Sequence, residues 1–388
     1  MTGTRFDVVV IGAGPAGASA AFTAARAGLR VALVDRHRFP RDKLCGGLVT
    51  GRARTHYAEI FGHPMPFAPE DCRTTVEFHL NGHPAGTVAN APPLCGTMRR
   101  EMDTMLCAQA LGAGAADFTG QGLTGIDSAA QEVTLGTARI GYGVLIGADG
   151  VNSMAARTLF RQPFERARIG FGLEIEAPGA PPPDAPVRID LGAARWGYGW
   201  AFPKRETTTV GVGGLLLENP EMKEDMAAYC DLLGIDRAGM RIKGQFLPFG
   251  DFRSKPGRGA VLLAGDAAGL VDPITGEGIG HAMASGDLAA RAAIRALVAD
   301  RPADALRHYR LSLVPLHRSL RMARLLRPLL FSRAMEPTFA RAFTSSTALR
   351  RDFLRLMAGD IEYGTILASV VRRLPRLARM TIAARRAR

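Results

Sequence analysis

Residues 7–35 read DVVVIGAGPAGASAAFTAARAGLRVALVD. Two apolar runs flank a glycine-rich turn and an alanine-rich segment, and this pattern predicts the order strand, turn, helix, strand. In the turn, Gly12 allows a tight bend, Gly14 lets the backbone approach a pyrophosphate, and Gly17 lets the helix pack closely on the strand. The stretch therefore predicts a Rossmann-like unit that binds a dinucleotide.

The predicted helix begins at Pro15 and Ala16. Its free N–H groups and its positive dipole end are expected to face the phosphates. The second strand ends at Asp35, where an acid is expected to contact a ribose hydroxyl. This pattern alone does not choose between NAD and FAD. The chain has one such unit of strand, glycine turn and helix, so any NAD(P)H is expected to bind transiently or to be replaced by another electron donor.

Size and composition bound the class of protein. A chain of 388 residues that is 47% hydrophobic and 22% charged is expected to form two domains with additions. Its five cysteines, at positions 45, 72, 95, 107 and 230, form no CxxC pair and no cluster with nearby histidines. This scattered, odd set favours reduced thiols in a cytosol-like compartment and argues against a disulfide framework or a metal site.

The net charge of +13 lies in the last quarter of the chain. Residues 301–388 contain 19 arginines and five acidic residues, whereas residues 1–300 hold 30 basic and 31 acidic residues. Leucine, valine and methionine alternate with arginine, as in helices that lie on anionic membranes. We expect a basic helical region that contacts a membrane surface or, alternatively, caps the fold with solvated arginines. No nucleic-acid recognition fold accompanies this charge.

The first residues predict no secretory signal. They form an acid-containing strand, residues 6–11, in place of a basic and then apolar leader. Residues 8–25 lack charge, but their glycines and proline indicate a strand, turn and helix and no membrane span. The expected location is the cytoplasm, with the cytoplasmic membrane face as the alternative.

Two later motifs favour FAD. They are LIGADGVNS at 145–153 and a segment at 257–293 that contains Gly265-Asp266 and a glycine-rich loop before a helix. With the first turn, they resemble the flavoprotein superfamily of aromatic hydroxylases and their relatives. The resemblance implies FAD as the cofactor, with Asp266 on the ribityl chain and with Gly278 and Ile279 at the flavin edge.

The segment RREMD, at 99–103, is similar to that superfamily's Arg-x-x-hydrophobic-Asp motif at the start of a helix. The resemblance implies that Arg99 lies near the phosphates or ribose of FAD. Met102 departs from the Phe or Leu that is commoner there. The alternative is a solvated arginine at a helix start.

An aromatic cluster, WGYGWAFPK, occupies residues 196–204. The period of a strand puts Tyr198, Trp200 and Phe202 on one face. On spacing alone, both an aromatic ladder in a sheet core and the wall of a site remain open. Strand-like alternation at 74–89 and 167–215 predicts a largely antiparallel sheet over the flavin.

Together with the glycines at 211 and 213, this cluster closely resembles the Tyr-x-Trp-x-Phe-Pro-Lys…Gly-x-Gly signature of the geranylgeranyl reductase family. RFPRDKLCGGLVTGRA, at 38–53, and GDAAGLVDPITGEGI, at 265–279, are also similar to that family. The resemblance spans residues 6–293. It implies an FAD-dependent reductase that saturates carbon–carbon double bonds of a prenyl or lipid substrate with hydride from flavin N5.

Two other functions stay open. A flavin monooxygenase or halogenase-like enzyme on an aromatic or polyketide substrate uses the same nucleotide motifs. A flavin-binding protein without turnover is the third alternative, although both nucleotide motifs are intact.

The family resemblance implies a substrate wall formed by Tyr198, Trp200 and Phe202. Cys45 and Gly46 are expected behind the flavin or in the substrate passage, with a small buried residue in a tight turn as the alternative. Reduction of an isolated alkene also needs a proton source. The candidates for the catalytic residue are Tyr198, His281 and Cys45, and His281 has the alternative of capping a packed turn.

The expected fold class is α/β. It combines a Rossmann-like FAD-binding domain of the glutathione reductase type, an interleaved antiparallel-sheet substrate domain and a basic helical C-terminal region. The expected boundaries are 1–70, 90–165 and 255–300 for the FAD-binding domain, 71–89 and 166–254 for the substrate domain, and 301–388 for the C-terminal region.

Overall fold

The computed structural model describes residues 4–368. Strands and helices alternate along the first 300 residues, and helices follow. The strands are β1 (Arg5–Ile11), β2 (Val31–Asp35), β3 (Leu48–Val49), β4 (Cys72–Arg73), β5 (Val76–Leu80), β6 (His83–Val88), β7 (Leu94–Gly96), β8 (Ala116–Thr119), β9 (Leu123–Asp127), β10 (Glu132–Leu135), β11 (Ala138–Gly147), β12 (Gly170–Pro178), β13 (Val187–Leu191), β14 (Tyr198–Pro203), β15 (Thr207–Leu215), β16 (Lys243–Leu247), β17 (Gly257–Arg258) and β18 (Val261–Leu263).

The helices connect the strands of the nucleotide-binding part and then form the C-terminal region. They are α1 (Pro15–Arg26), α2 (Gly51–Phe61), α3 (Arg99–Gly112), α4 (Met154–Phe160), α5 (Met222–Leu232), α6 (Ile279–Val298), α7 (Ala305–Ser312), α8 (Val314–Phe331), α9 (Glu336–Ser345) and α10 (Thr347–Ala358). The starts of α1 and α3 agree with the sequence patterns at 12–17 and 99–103.

The first sheet has the strand order β17-β18-β11-β1-β2-β8. Strands β18, β11, β1, β2 and β8 run parallel, and β9 and β10 extend the sheet as an antiparallel meander beside β11. The middle of β1, Val8 to Val10, is fully buried, as expected for a parallel strand covered on both faces. The predicted order of elements over residues 7–35 is confirmed.

Helix α6 lies directly against helix α1. A Cβ added at Gly286, in the middle of α6, would overlap the carbonyl oxygen of Ala16 in the first turn of α1. The absence of a side chain at Gly286 therefore lets the two backbones touch. This contact brings the N-termini of α1 and α6 to the same end of the parallel sheet.

The second sheet has seven strands in the order β16-β12-β15-β14-β13-β5-β6. All neighbours are antiparallel except β13 and β5. Its two faces differ. One face carries Val210 and Val212 against helix α5. The opposite face carries Trp200 and Phe202 and packs against α9 and α10. The predicted, largely antiparallel sheet is confirmed, and the described residues have a mixed α/β fold.

A third, three-stranded sheet corrects the sequence-based interpretation of the cysteines. Strands β4 and β7 pair antiparallel so that Cys72 lies opposite Cys95, and these two residues form a disulfide. Cys45, Cys107 and Cys230 are free. The expectation that all five thiols are reduced was therefore wrong for one pair. Residues separated by 23 positions meet only through the strand register, which their spacing could not reveal.

The described part of the C-terminal region is helical. Helices α9 and α10 contribute Phe343 and Leu354 to the core beneath the second sheet. Within residues 4–368, no helix has the length and apolar character needed to cross a membrane. The last arginine-rich stretch of the predicted basic tail, 369–388, lies outside the described residues.

Replacing Gly286 by alanine should destabilise the protein, because the added methyl group would overlap the Ala16 carbonyl oxygen and force α6 away from α1. We expect a loss of about 1–3 kcal/mol, the usual cost of overpacking. The measurement is the urea midpoint followed by circular dichroism.

Gly112→Ala is the matched control, since an added Cβ at this helical position meets no atom within 4 Å. Alanine should stabilise that helix by about 0.5–1 kcal/mol. A Gly286→Ala protein as stable as the wild type would contradict the close packing of the two helices.

Candidate functional site

A cavity of about 710 Å³ lies between the carboxyl ends of the parallel strands and the second sheet. Ligands of open α/β sheets bind at such strand ends. Its walls include the turn after β1, the segment before β3, strand β14 and the start of α6. The predicted site residues that line it are Gly12, Gly14, Pro15, Ala16, Asp35, Cys45, Gly46, Arg99, Tyr198, Trp200, Phe202, Asp266, Gly278 and Ile279.

The glycine turn has different constraints at each position. Gly12 has a φ of 98°, and a Cβ there would overlap the carbonyl oxygen of Ala148. A Cβ at Gly17 would overlap the carbonyl oxygen of Gly12, so Gly17 serves helix packing and does not line the cavity. At Gly14 the nearest atoms are 3.5 Å or more from an added Cβ. Gly14 is therefore the position where the backbone is open to a ligand.

The acid at the end of β2 is held by two backbone amides. Asp35 Oδ2 accepts the N–H of Ala13 and Oδ1 accepts the N–H of His37, both at 2.9 Å. The helix start at Pro15 and Ala16 faces the same cavity. Free N–H groups and an orientated carboxylate therefore lie together, as the contacts of a pyrophosphate and a ribose require.

Arg99 is buried and paired. Its Nε and Nη2 atoms donate to the two carboxylate oxygens of Asp103, each at 2.8 Å, and Arg41 Nη2 lies 3.0 Å from the same carboxylate. Burial alone would lower the pKa of Arg99, but Asp103 raises it above its usual value. The alternative of a solvated arginine is therefore wrong. Two guanidinium groups share one carboxylate beside Gly14, which leaves a net positive charge for an anionic ligand.

The loop before α6 presents a second helix start. Gly278 and Ile279 line the cavity, and the Asp266 carboxylate lies 3.2 Å from Lys43 Nζ. Glu277 accepts a hydrogen bond from the Gly280 N–H at 2.7 Å. This buried carboxylate caps the helix, so the loop is held in the shape that brings Gly278 to the cavity.

The aromatic residues form one wall. The ring centroids of Tyr198 and Trp200 are 6.0 Å apart, and those of Trp200 and Phe202 are 6.2 Å apart. A Cβ at Gly211, on the neighbouring strand, would overlap the Trp200 indole. The predicted common face is confirmed. The rings belong to a core cluster and also line the cavity, and their role as a substrate wall stays a prediction.

Tyr198 is tied to the loop before α6. Its hydroxyl donates to the Thr275 carbonyl oxygen at 2.7 Å. Burial raises the pKa of Tyr198, and the nearby carboxylates of Asp272 and Glu277 raise it further. The phenol is therefore neutral, with its proton already engaged.

The segment at Cys45 and Gly46 crosses the aromatic wall. A Cβ at Gly46 would lie 2.9 Å from Phe202 Cε2 and 3.4 Å from Trp200 Nε1. The Cys45 N–H donates to Glu174 Oε1 at 2.9 Å. The segment thus separates part of the wall from the open cavity, and Cys45 is partly exposed there.

Glu174 is a cavity residue that the sequence reasoning missed. It lies on β12 and is 3% exposed, and burial raises its pKa to about 7. In the sequence it belongs to LEIE, in which apolar and acidic residues alternate. This alternation is typical of a half-buried strand whose charged side chains face solvent, so Glu174 was not expected in a cavity. The signal that could have found it is the placement of Glu174 and Glu176 on the face that carries Trp200.

His281 is not brought to the cavity. It lies buried on α6, and burial lowers its pKa to about 3, with nearby Arg52 and His56 lowering it further. Its Nδ1 atom has no hydrogen-bond partner within residues 4–368. A neutral imidazole outside the cavity cannot supply the required proton, so the structure corrects this candidate.

Comparison with known proteins agrees with this geometry. A family model described as FAD dependent oxidoreductase matches residues 7–63. The chain is 31% identical over 318 residues to a geranylgeranyl diphosphate reductase of Rhodobacter capsulatus, with 77% of this chain and 78% of that protein covered. It is 32% identical to a menaquinone reductase of Mycolicibacterium smegmatis, with 74% and 76% covered.

Two solved structures share the fold. A geranylgeranyl bacteriochlorophyll reductase-like protein of Thermoplasma acidophilum superposes with a TM-score of 0.74 at 19% identity and covers 91% of this chain and 96% of its own. The flavin-dependent brominase Bmp2 has a TM-score of 0.73 at 18% identity and covers 96% and 100%. At these identities the structures show the fold alone.

Replacing Gly14 by valine should weaken dinucleotide binding without unfolding the protein. An added Cβ has only ordinary contacts with Arg41 and Arg99, but the side chain would occupy the place where the backbone approaches a pyrophosphate. We expect FAD affinity to fall at least about tenfold, which corresponds to about 1.4 kcal/mol. Fluorescence titration of the apoprotein with FAD measures it.

Circular dichroism and the thermal midpoint of the apoprotein serve as the control, since both should match the wild type. Unchanged FAD affinity in the Gly14→Val protein would show that the pyrophosphate does not lie at this turn.

Proposed function

The chain belongs to the geranylgeranyl reductase family of FAD-dependent oxidoreductases, and from this premise we propose that it saturates carbon–carbon double bonds of a prenyl substrate. The observation that carries the proposal is that the wall formed by Tyr198, Trp200 and Phe202 lines the same cavity as the glycine turn. A flavin and an apolar chain can therefore meet in one space.

The residues at the cavity fit FAD. Gly14 is open on its cavity side, and the guanidinium groups of Arg41 and Arg99 have one carboxylate between them. We propose that these groups hold the pyrophosphate, with Asp35 on a ribose and Asp266 on the ribityl chain. We place the flavin edge at Gly278 and Ile279, where the positive end of the α6 dipole favours the negative charge of a reduced flavin.

Reduced flavin, when bound, supplies the hydride. The chain's own residues would hold the alkene, exclude water and supply the proton. Besides the aromatic wall, the cavity lining includes the apolar side chains of Phe249, Ile274, Phe331 and Met357. Such a lining suits a branched hydrocarbon chain and offers it few polar partners.

The relatives' names point to the same class of substrate. One is a geranylgeranyl diphosphate reductase and the other a menaquinone reductase, and the compounds in both names carry isoprenoid chains. We therefore propose a substrate with a prenyl chain and leave its head group open. We propose NAD(P)H or another reductant as the electron donor, bound transiently, because a GxGxxG turn leads from a strand into a helix once in the described chain, at residues 12–17.

We propose the domain division expected from the sequence. Support comes from the first sheet, which holds β1, β2, β11 and β18, and from the second sheet, whose strands come from two separate stretches of the chain. Under this proposal the first sheet belongs to an FAD-binding domain of the glutathione reductase type. The second sheet belongs to the interleaved substrate domain.

We also propose contact between the C-terminal region and the cytoplasmic face of a membrane. One side of α8 exposes Val314, Leu325 and Leu329, with exposed fractions of 54%, 68% and 40%. Exposed arginines at 318 and 321 lie between them. Apolar side chains flanked by arginines suit an anionic lipid surface, from which a prenyl chain could enter the cavity.

The test of the proposed reaction is anaerobic incubation of reduced, FAD-loaded protein with geranylgeranyl diphosphate and with menaquinone. After reoxidation of any quinol in air, a product heavier by two hydrogen atoms for each saturated prenyl bond is expected. In a parallel aerobic incubation, oxygen uptake with a product that contains a new oxygen or halogen atom would instead support the alternative of a monooxygenase or halogenase. Flavin that stays reduced with every prenyl compound would overturn the proposal.

Trp200→Phe should lower kcat/KM for the prenyl substrate about tenfold while FAD stays bound. Phenylalanine leaves part of the space over Gly211 empty, so the alkene is held less closely. Trp196→Phe is the matched control, since Trp196 is outside the residues that line the cavity in the described chain. Equal losses in both variants would argue against Trp200 as part of the substrate wall.

The double variant Arg321→Ser with Leu325→Ser should bind phosphatidylglycerol vesicles at least about tenfold more weakly, because one charge and one exposed leucine are lost. Co-sedimentation measures the binding. Leu217→Ser is the control, since Leu217 is equally exposed, at 62%, in a different part of the fold. Binding that is identical in all three proteins would reject α8 as the lipid contact.

A further inference from the structure

Two buried polar atoms at the cavity wall have no hydrogen-bond partner within residues 4–368. They are Trp200 Nε1, a donor, and Glu174 Oε2. Both residues line the cavity. A buried polar group without a partner costs free energy. Both atoms are therefore without a partner among the described residues, in the wall of the cavity that we propose holds the substrate.

The strand register brings these two residues to the same row. Trp200 pairs with Gly211 on β15, and Gly211 pairs with Glu174 on β12. Side chains in one row of a sheet point to the same face. Because Gly211 has no side chain, the Trp200 ring extends across it towards Glu174.

The segment at Cys45 and Gly46 crosses this row and fixes one half of the carboxyl group. Glu174 Oε1 accepts the Cys45 N–H at 2.9 Å, while Gly46 lies against Trp200 Nε1. The other oxygen, Oε2, makes no such bond in the described chain. Glu174 thus has one oxygen for holding the segment and one oxygen free for a second task.

The charged groups around Glu174 are largely engaged with other partners. Lys204 Nζ lies 3.2 Å from Glu176 Oε1, and Lys243 Nζ lies 3.5 Å from Asp42 Oδ2. Glu176 also accepts hydrogen bonds from the hydroxyls of two threonines, at 207 and 209.

Burial is the largest influence on Glu174 and raises its pKa to about 7. The hydrogen bond from the Cys45 N–H and the charges of Lys204 and Lys243 lower this pKa, whereas the charge of Glu176 raises it. The net result is a carboxyl group that is about half protonated at neutral pH and mostly protonated below it.

We propose that Glu174 is the proton donor of this site. The inference rests on the proposed prenyl reduction. One alkene carbon takes the hydride that reduced flavin supplies. At the other carbon a C–H bond forms as the O–H bond of the Glu174 carboxyl breaks. The products are the saturated carbon–carbon bond, oxidised flavin and the Glu174 carboxylate, which regains its proton from solvent.

The other candidates are less suited to this step. The Tyr198 hydroxyl donates to the Thr275 carbonyl oxygen at 2.7 Å, and burial raises its pKa above the usual value. His281 lies outside the cavity and is neutral. Glu174 combines a place in the cavity wall, a free oxygen and a pKa near neutrality, which is what a general acid at neutral pH requires.

Glu174→Gln separates the proposed role from simple positioning. Glutamine keeps an oxygen that can accept the Cys45 N–H, but it has no acidic proton. We expect normal FAD binding and normal reduction of the flavin by dithionite. Anaerobic reoxidation by the prenyl substrate should be slower by at least about a hundredfold, the usual contribution of a general acid. Reoxidation at the wild-type rate would overturn the proposal.

The pH dependence gives a second criterion. The wild-type reoxidation rate should fall as pH rises through about 7, and the Glu174→Gln protein should lack this decline. Glu176→Gln removes the neighbouring charge that raises the Glu174 pKa, so the decline should move to lower pH. A decline that persists unchanged in Glu174→Gln would assign the titration to another group and overturn the proposal.

A stability measurement tests the carboxyl group independently of turnover. The pKa of Glu174 is raised in the folded state from 4.5 to about 7, so the folded protein holds an extra proton over this range. The contribution of Glu174 to the free energy of unfolding therefore falls as the pH rises from 4.5 to about 7. The thermal midpoint of Glu174→Gln relative to the wild type should increase from about pH 5 to about pH 8.

The outcomes separate the two proposals. If the wild type saturates no prenyl compound, the proposed function fails, whatever the stability profile shows. If the wild type is active and Glu174→Gln matches it in rate and pH profile, the role of Glu174 fails and prenyl reduction stands. A midpoint difference that does not change with pH would contradict a buried titrating carboxyl at this position.

Discussion

The direct contact between helices α1 and α6 governs the rest of the site. Gly286 lets α6 lie on the Ala16 carbonyl, and Gly17 lets α1 lie on the Gly12 carbonyl. Backbone touches backbone at both places, so the two helices have little freedom to slide. Both helices therefore start at one cavity, and their positive dipole ends meet there. One start suits a pyrophosphate and the other a reduced flavin ring.

The second sheet completes this cavity because its two faces carry different side chains on strand β15. Valines at 210 and 212 pack on α5, whereas glycines at 211 and 213 leave space on the other face for the Trp200 ring. The alternation of valine and glycine on β15 thus makes a solid core on one side and an aromatic wall on the other. The segment at Cys45 and Gly46 lies against this wall and links it to the nucleotide-binding part.

Much of this could be predicted because it depends on local pattern. Residues 7–35 specify strand, turn and helix by apolar runs and glycine spacing, and Tyr198, Trp200 and Phe202 share a face because a strand has a period of two. The features that could not be predicted depend on how distant strands pair and on which way a helix turns its side chains. The Cys72–Cys95 disulfide needs the pairing of β4 with β7. Glu174 reaches the cavity through its pairing with Gly211, and His281 faces away from it through the rotation of α6 about its axis.

The central claim is that one cavity holds the flavin beside the Trp200 wall. In a Trp196→Phe protein, Trp200 is the one remaining tryptophan of the two, so its fluorescence reports on this wall alone. Adding FAD to the apoprotein should quench this fluorescence strongly and saturably. FAD that binds, as shown by its own absorbance after gel filtration, while Trp200 fluorescence stays unchanged would contradict the account.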